Sequence, residues 1–469
     1  VRKRVIASAA AALGLLLAIP AAAADAGPGA PGIGDPYYPT YGNGGYDVSH
    51  YDLDLAYEPA TDELTGTTTI TATATQGLTS FDLDFALTVS RVTVNGRTAA
   101  FTTSGEQELV VTPAKAIARG HRITVAVTYS GIPSTVQRYG FTSWQRTPDG
   151  AVAANEPESA WWWYPSNDHP SDKATYDVHV DVPSGDQAIS NGLLLSQKTK
   201  NGRTDWHWRQ NKPQATYLTT LAVGHFDITR SRTRTGVPVI NAYSTALNPA
   251  TAANARASVE RTGEIIDFLS GWFGPYPFDA AGGYVPNVTA GFALEAQTRV
   301  FYSPKFFAKG ADSDVAAHEL AHQWWGDDVS LDRWSDIWLN EGFASYAEFL
   351  WAEHEHTGTP QQLAQDIYDA HPADDPFWTV KPGDPGAQNQ FDDAVYDRGA
   401  VAIQALRDTI GDHAFRALLK AWPAQHRYGN GTIPEFERLA ERISGKKLDG
   451  FFTTWLFTGA KPASFPAQP

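Results

Sequence analysis

The 469-residue chain contains no cysteine and no methionine. Without cysteine there is no disulfide, no thiolate nucleophile and no sulfur ligand for a metal, so any metal must sit on histidine and carboxylate groups. The absence of methionine spares the chain sulfoxide damage, and nothing else in the sequence explains it. Basic residues are also scarce, with 36 Lys and Arg against 52 Asp and Glu and a formal charge of −16. Such a surface disfavours nucleic acid as a partner and favours solubility. Long apolar runs are missing too. The one extended run, Val5 to Ile19, is shorter than the roughly 20 residues that span a bilayer. It follows Arg2, Lys3 and Arg4 and precedes Ala22 and Ala24, which fit an A-x-A cleavage pattern. Residues 1–24 therefore read as an export signal, giving a secreted product that starts near Asp25 and has no transmembrane anchor. Its removal takes the formal charge from −16 to −19.

What is present falls into two halves, and no repeat of fixed period runs through them. Residues 25–45 are rich in Gly, Pro and Tyr and read as a linker or extended arm. From Tyr46 the pattern alternates, as in Tyr51-Asp-Leu53-Asp-Leu55-Ala-Tyr57, Phe81-Asp-Leu83-Asp-Phe85 and Ile123-Thr-Val125-Ala-Val127. Short strands of this kind, with turns such as Val94-Asn95-Gly96 between them, predict an antiparallel all-β domain over 46–235. After Gly236 helical periods take over, with helices expected over Thr251–Leu269, Ser313–Trp325, Ser335–Glu355, Ala394–Ile410 and Ile433–Ile443. The fold class is multidomain α+β, a β domain followed by a mainly α domain over 236–469. Trp161, Trp162, Trp163 and Tyr164 read as interface core rather than as a ligand platform.

The chemistry lies in the second half. His318-Glu319-Leu320-Ala321-His322 matches H-E-x-x-H inside a helix expected to start at Asp312 or Ser313 and to stop at Gly326. Residues four apart share a helix face, so both imidazoles can reach one ion, while Glu319 is placed to hold a water instead of the metal. The row Val315, His318, Glu319, His322 is polar where a core helix would be apolar, and burying it is costly without a function. A catalytic zinc needs a third protein ligand. Glu341 offers it, nineteen residues after His322, in a helix whose apolar stripe is Leu339, Phe343, Tyr346 and Leu350. One Zn2+ per chain is expected on His318, His322 and Glu341.

The stretch His318 to Gly326, followed by Trp338-Leu-Asn-Glu341-Gly342, resembles the zinc site of the aminopeptidase N type of gluzincin metallopeptidases, and the likeness covers nearly the whole chain after residue 24. It implies a saddle-like antiparallel β-sheet domain, then a thermolysin-like catalytic domain, acting on peptide substrates with a free N-terminus. Gly291-Phe292-Ala293-Leu294-Glu295-Ala296-Gln297 resembles the family's exopeptidase motif, with Phe292 in place of the usual Gly and Ala296 in place of a frequent Asn. Glu295 then matches the glutamate that binds the substrate's α-amine. Asn155-Glu156-Pro157 lies where the family's β domain contributes a second acidic residue, which assigns Glu156 to the same amine. Tyr396-Asp397-Arg398-Gly399 resembles the family's Tyr-x-Lys-Gly, with Arg for Lys, and implies that Tyr396 stabilises the oxyanion. By analogy with thermolysin, Asn340 is expected to hydrogen-bond a ligating histidine. Zinc hydrolysis with Glu319 as general base is the mechanism implied.

Many members of this family continue into a large helical domain over the active site. Phe451 to Pro469 reads as the end of the catalytic domain, so a comparatively open cleft and a monomer are expected. Three other functions share the motifs: a thermolysin-like secreted endopeptidase, a lipid epoxide hydrolase and a noncatalytic zinc-binding module. The presence of both Glu319 and Tyr396 disfavours the last. Asn287-Val-Thr289 and Asn430-Gly-Thr432 match glycosylation acceptors.

Overall fold

The computed structural model describes residues 26–138 and 140–465; the export-signal reading of residues 1–24 lies outside them. The first half is organised by an eight-stranded sheet. Its spatial order is Leu193–Lys200, Arg203–Gln214, Ala174–Pro183, Tyr46–Glu58, Glu63–Ala74, Arg122–Gly131, Thr88–Val94 and Arg97–Thr98. Neighbours run antiparallel except Tyr46–Glu58 and Ala174–Pro183, which are parallel. The alternation does what period two requires: Tyr51, Leu53, Leu55 and Tyr57 are buried while Asp54 faces water. Asn95 and Gly96 form a two-residue hairpin turn, both with positive φ, at 50° and 74°. A smaller four-stranded sheet carries the strand Gly150–Ala153, which delivers the chain to Asn155 and Glu156.

The second half opens with a mixed sheet of Phe226–Arg232, Pro238–Ser244, Ala281–Val285 and Val300–Phe301, so its first strand lies ahead of Gly236. Nine α-helices follow among the described residues. The single helix expected over Thr251–Leu269 is two, α1 (Pro249–Val259) and α2 (Thr262–Phe273). The chain breaks there because the Val259 carbonyl accepts from Thr262 Oγ1 at 2.6 Å and from Asn241 Nδ2 at 3.1 Å. Helix α3 (Asp314–Ala321) is shorter than expected and gives way to tight turns that end at Gly326, whose φ of 131° suits glycine. Helix α4 (Trp338–His354) starts after a 3-10 turn at Trp334–Asp336. The segment expected to be helical from Ala394 begins as a π-helical turn, Ala394–Arg398, and only then becomes α6 (Gly399–Ile410). Helix α8 (Ile433–Ser444) starts at a capping box in which Thr432 and Glu435 satisfy each other's backbone N–H. Helices α5 (Pro360–Ala370), α7 (Asp412–His426) and α9 (Asp449–Leu456) were not anticipated.

Residues 26–45 form an extended arm across the seam between the halves. Gly27–Pro28 pairs with the strand Leu78–Asp84. Asp35 is buried and accepts from the backbone N–H of Tyr37, Tyr38 and Trp334, at 2.8, 3.0 and 2.8 Å. Tyr37 donates to Asp384 at 2.5 Å, and Gln390 donates to the Tyr38 hydroxyl at 2.5 Å. Trp161, Trp162, Trp163 and Tyr164 are all buried.

Candidate active site

Every site residue named from the sequence lines one cavity of about 630 Å3: Glu156, Glu295, His318, Glu319, His322, Glu341 and Tyr396. Its rim includes the exposed residues Gly291, Asp314, Phe391 and Asp393, so the cleft opens to solvent.

Helices α3 and α4 build the metal end. Glu341 Oε2 lies 3.4 Å from the Nε2 atoms of both His318 and His322. The three donor atoms fall within 4.8 Å of one another, a spread one tetrahedral ion can bridge. The opposite ring nitrogens are occupied. His318 Nδ1 meets Glu348 Oε1 at 2.6 Å, and His322 Nδ1 meets the Trp325 carbonyl at 3.0 Å. Both partners only accept, so each Nδ1 carries the proton and each Nε2 offers a lone pair toward the metal position. The donor set therefore fits zinc. Burial alone would raise the Glu341 carboxyl, but His322 and His318 beside it outweigh burial and hold it below the usual carboxylate range. Glu319, one residue on from His318, is pushed up to about 8 by burial, against the pull of both imidazoles.

The other end of the cleft is a junction of the two halves. Asn155 is fixed by the Thr219 carbonyl and by Trp163 Nε1 at 3.0 Å, which sets Glu156 facing the cleft from the β domain. Glu295 approaches from the other side. Tyr217 donates to its Oε1 at 3.2 Å, and Gln323 Nε2 holds its carbonyl at 3.0 Å. Oxygens of Glu156, Glu295 and Glu341 converge within 4.8 Å of one another. Burial, then Glu295 and Glu341, raise Glu156 well above the carboxylate range, and its buried Oε1 has no hydrogen-bond partner. Burial raises Glu295 as well, and His322 opposes this.

Tyr396 sits in the π-helical turn with its ring stacked on His318, centroids 6.0 Å apart. Arg398, the departure from the Lys of the resemblance, locks that turn. Its guanidinium donates to the carbonyls of Trp378, Val380, Trp455 and Thr458, at 2.7, 2.7, 3.0 and 2.6 Å. A lysine ammonium has three donors and could not serve four carbonyls.

Asn340 departs from expectation. The nitrogens it was expected to serve are taken by Glu348 and Trp325, and its Nδ2 instead faces the Tyr217 hydroxyl at 3.5 Å. Three contributors were missed. Glu348 stands seven residues after Glu341, two helical turns along the same face, a spacing that could have revealed it. Gln323 lies inside the quoted motif, and Tyr217 has no sequence signal. Asn430 spends its amide on the carbonyls of Pro170 and Leu331, at 2.9 and 2.8 Å.

Residues 258–455 match the Peptidase family M1 domain and residues 48–218 the Peptidase M1 N-terminal domain. An M1 zinc metallopeptidase from Deinococcus radiodurans aligns at 30% identity and a TM-score of 0.83, over 93% of this chain and 98% of its own. The chain belongs to peptidase family M1. Relatives in the M1 family include Aminopeptidase M1 of Arabidopsis thaliana, 26% identical over 65% of this chain and 36% of its own length. Endoplasmic reticulum aminopeptidase 1 of Homo sapiens is 27% identical over 81% of this chain and 44% of its own. This M1 chain thus spans less than half the length of these curated relatives, but nearly all of the Deinococcus structure. Zinc is its cofactor, in agreement with the donor set.

Proposed function

We propose that this M1 chain is a zinc aminopeptidase that removes single residues from peptides with a free N-terminus. The observation that carries the reading is the convergence of Glu156 and Glu295 beside the metal donors. A carboxylate pair at that point holds an ammonium and rejects an internal amide, which has no charge there. The substrate is thereby registered with its first peptide bond over the metal position.

Zinc held by His318, His322 and Glu341 supplies Lewis acidity for the scissile carbonyl and for a water. Glu319, beside the ligand His318 and lining the same cavity, takes a proton from the attacking water and returns it to the leaving amine. The Tyr396 phenol, kept protonated by burial and the surrounding carboxylates, donates to the oxygen that gains charge as the carbonyl is attacked. Glu348 orients His318 through Nδ1. A glutamate-to-alanine mutant of the Deinococcus radiodurans enzyme bound to a Tyr-Ser-Ala substrate supports the peptide reading. The basic start and apolar run of residues 2–19 support export, and no helix among the described residues is long and apolar enough to cross a membrane.

Hydrolysis of alanyl- and leucyl-aminomethylcoumarin, set against their N-acetylated counterparts, tests the proposal on purified protein supplied with zinc. Cleavage of the free-amine substrates alone is expected. Equal cleavage of the acetylated ones would identify an endopeptidase, and cleavage of neither would remove the aminopeptidase reading.

A further inference from the structure

The cleft has a side chamber. A second cavity of about 410 Å3 adjoins it, and Glu156 and Phe391 line both. Because Glu156 faces the substrate's amine in the proposed function, the Cα that carries that amine lies at the mouth of this chamber. The chamber gives the side chain on the same Cα a space to enter, past Glu156 and Phe391. The chamber is therefore where the first residue of the peptide would be read, an inference that rests on the aminopeptidase reading.

Its walls are aromatic, from Tyr38, Phe141, Trp162 and Phe391, and besides Glu156 a second carboxylate, Glu158, lies among them. Among the described residues no hydrogen bond or ion pair reaches that carboxylate; only the Glu158 backbone carbonyl is used, by Trp161 Nε1 at 2.8 Å. Burial and the nearby Asp168 push the Glu158 carboxyl up to about 8, and Arg138 pulls it down. Arg138 is the cation of the chamber, but it is already held by Glu106 at 2.6 Å and lies over the Tyr41 ring at 5.4 Å. A half-buried carboxylate without a close partner among the described residues, two residues along the chain from the amine-facing Glu156 and ringed by π faces, calls for a cation on a long stem. Lysine and arginine side chains provide one, and the planar guanidinium also stacks on aromatic rings.

We propose that Glu158 is a specificity-determining residue and that the chamber selects peptides whose first residue is arginine or lysine. The test uses the full chain with zinc and compares arginyl-, lysyl- and leucyl-aminomethylcoumarin. Native protein should show a higher kcat/KM for the arginyl than for the leucyl substrate, and Glu158→Gln should lower that ratio about tenfold. A second measurement needs no variant: lysinamide should inhibit native protein more strongly than norleucinamide, which has a similar stem and no charge. A native preference for leucine, an unchanged ratio in Glu158→Gln, or equal inhibition by the two amides overturns the inference and leaves the aminopeptidase reading standing. Failure to cleave any free-amine substrate overturns both.

Discussion

The two ends of the cleft treat buried charge in opposite ways. At the metal end the ligands are paired: Glu341 lies between His318 and His322, and Glu348 meets the far side of His318. At the amine end Glu156 and Glu295 face each other, and behind them Asp327 is buried with neither carboxylate oxygen hydrogen-bonded. The half-buried ammonium of Lys173 spends its hydrogen bonds on the carbonyls of Asp327 and Asp328, at 2.7 and 3.0 Å, and acts on the Asp327 carboxylate only through its charge. Like charges out of water are costly, and a fold keeps them where a ligand of opposite charge relieves the cost. In the proposed function the metal end is matched to an ion that stays, whereas the other end is matched to an ammonium that comes and goes.

Substitutions can break or sharpen this contrast. Glu319→Gln should give the largest effect, a loss of about 10²–10⁴ in kcat with zinc content unchanged by elemental analysis. Near-native turnover would take the general base away from the metal end. Tyr396→Phe should lower kcat about 10²-fold or more and leave KM nearly unchanged, because its hydrogen bond belongs to the transition state. An effect on KM alone would move Tyr396 into ground-state binding. Glu348→Gln should weaken zinc binding about 10–100-fold in competition with a chelator, since the charge behind His318 is lost. Unaltered affinity would mean that the metal end does not depend on that pairing. Glu295→Gln should lower kcat/KM for free-amine substrates about 10-fold and leave zinc affinity intact, separating the two ends. If acetylated and free substrates were still discriminated as before, Glu156 alone would hold the amine.

The two ends also differ in how legible they are in the sequence. His318, Glu319, His322 and Glu341 are readable because their geometry is local: helical spacing puts two imidazoles on one face, and a second helix supplies the carboxylate. Glu156 and Glu295 lie 139 residues apart on separate folding units, and their meeting rests on tertiary packing that no local pattern encodes. Only family resemblance pointed to them. The β-then-α order followed from periodicity, and family membership and the fold of the M1 structures agree with it. The break between α1 and α2 and the π-helical turn at Tyr396 were invisible for the same reason as Glu156: each is fixed by partners distant in sequence, Asn241 in one case and the four carbonyls around Arg398 in the other. Composition marked residues 25–45 as Gly- and Pro-rich, but composition says nothing of where Asp35 and its tyrosines find their partners.

The arm places a timing constraint on assembly. Tyr38 lies 352 residues before Gln390, and Asp35 lies 299 before Trp334. At ribosomal speeds of about 5–20 residues per second, roughly 20–70 seconds separate the synthesis of Tyr38 from that of Gln390. The β domain has time to fold in that interval, but one wall of the side chamber cannot close until Gln390 has been made. A chamber built this way closes only after parts of both halves of the chain have been made.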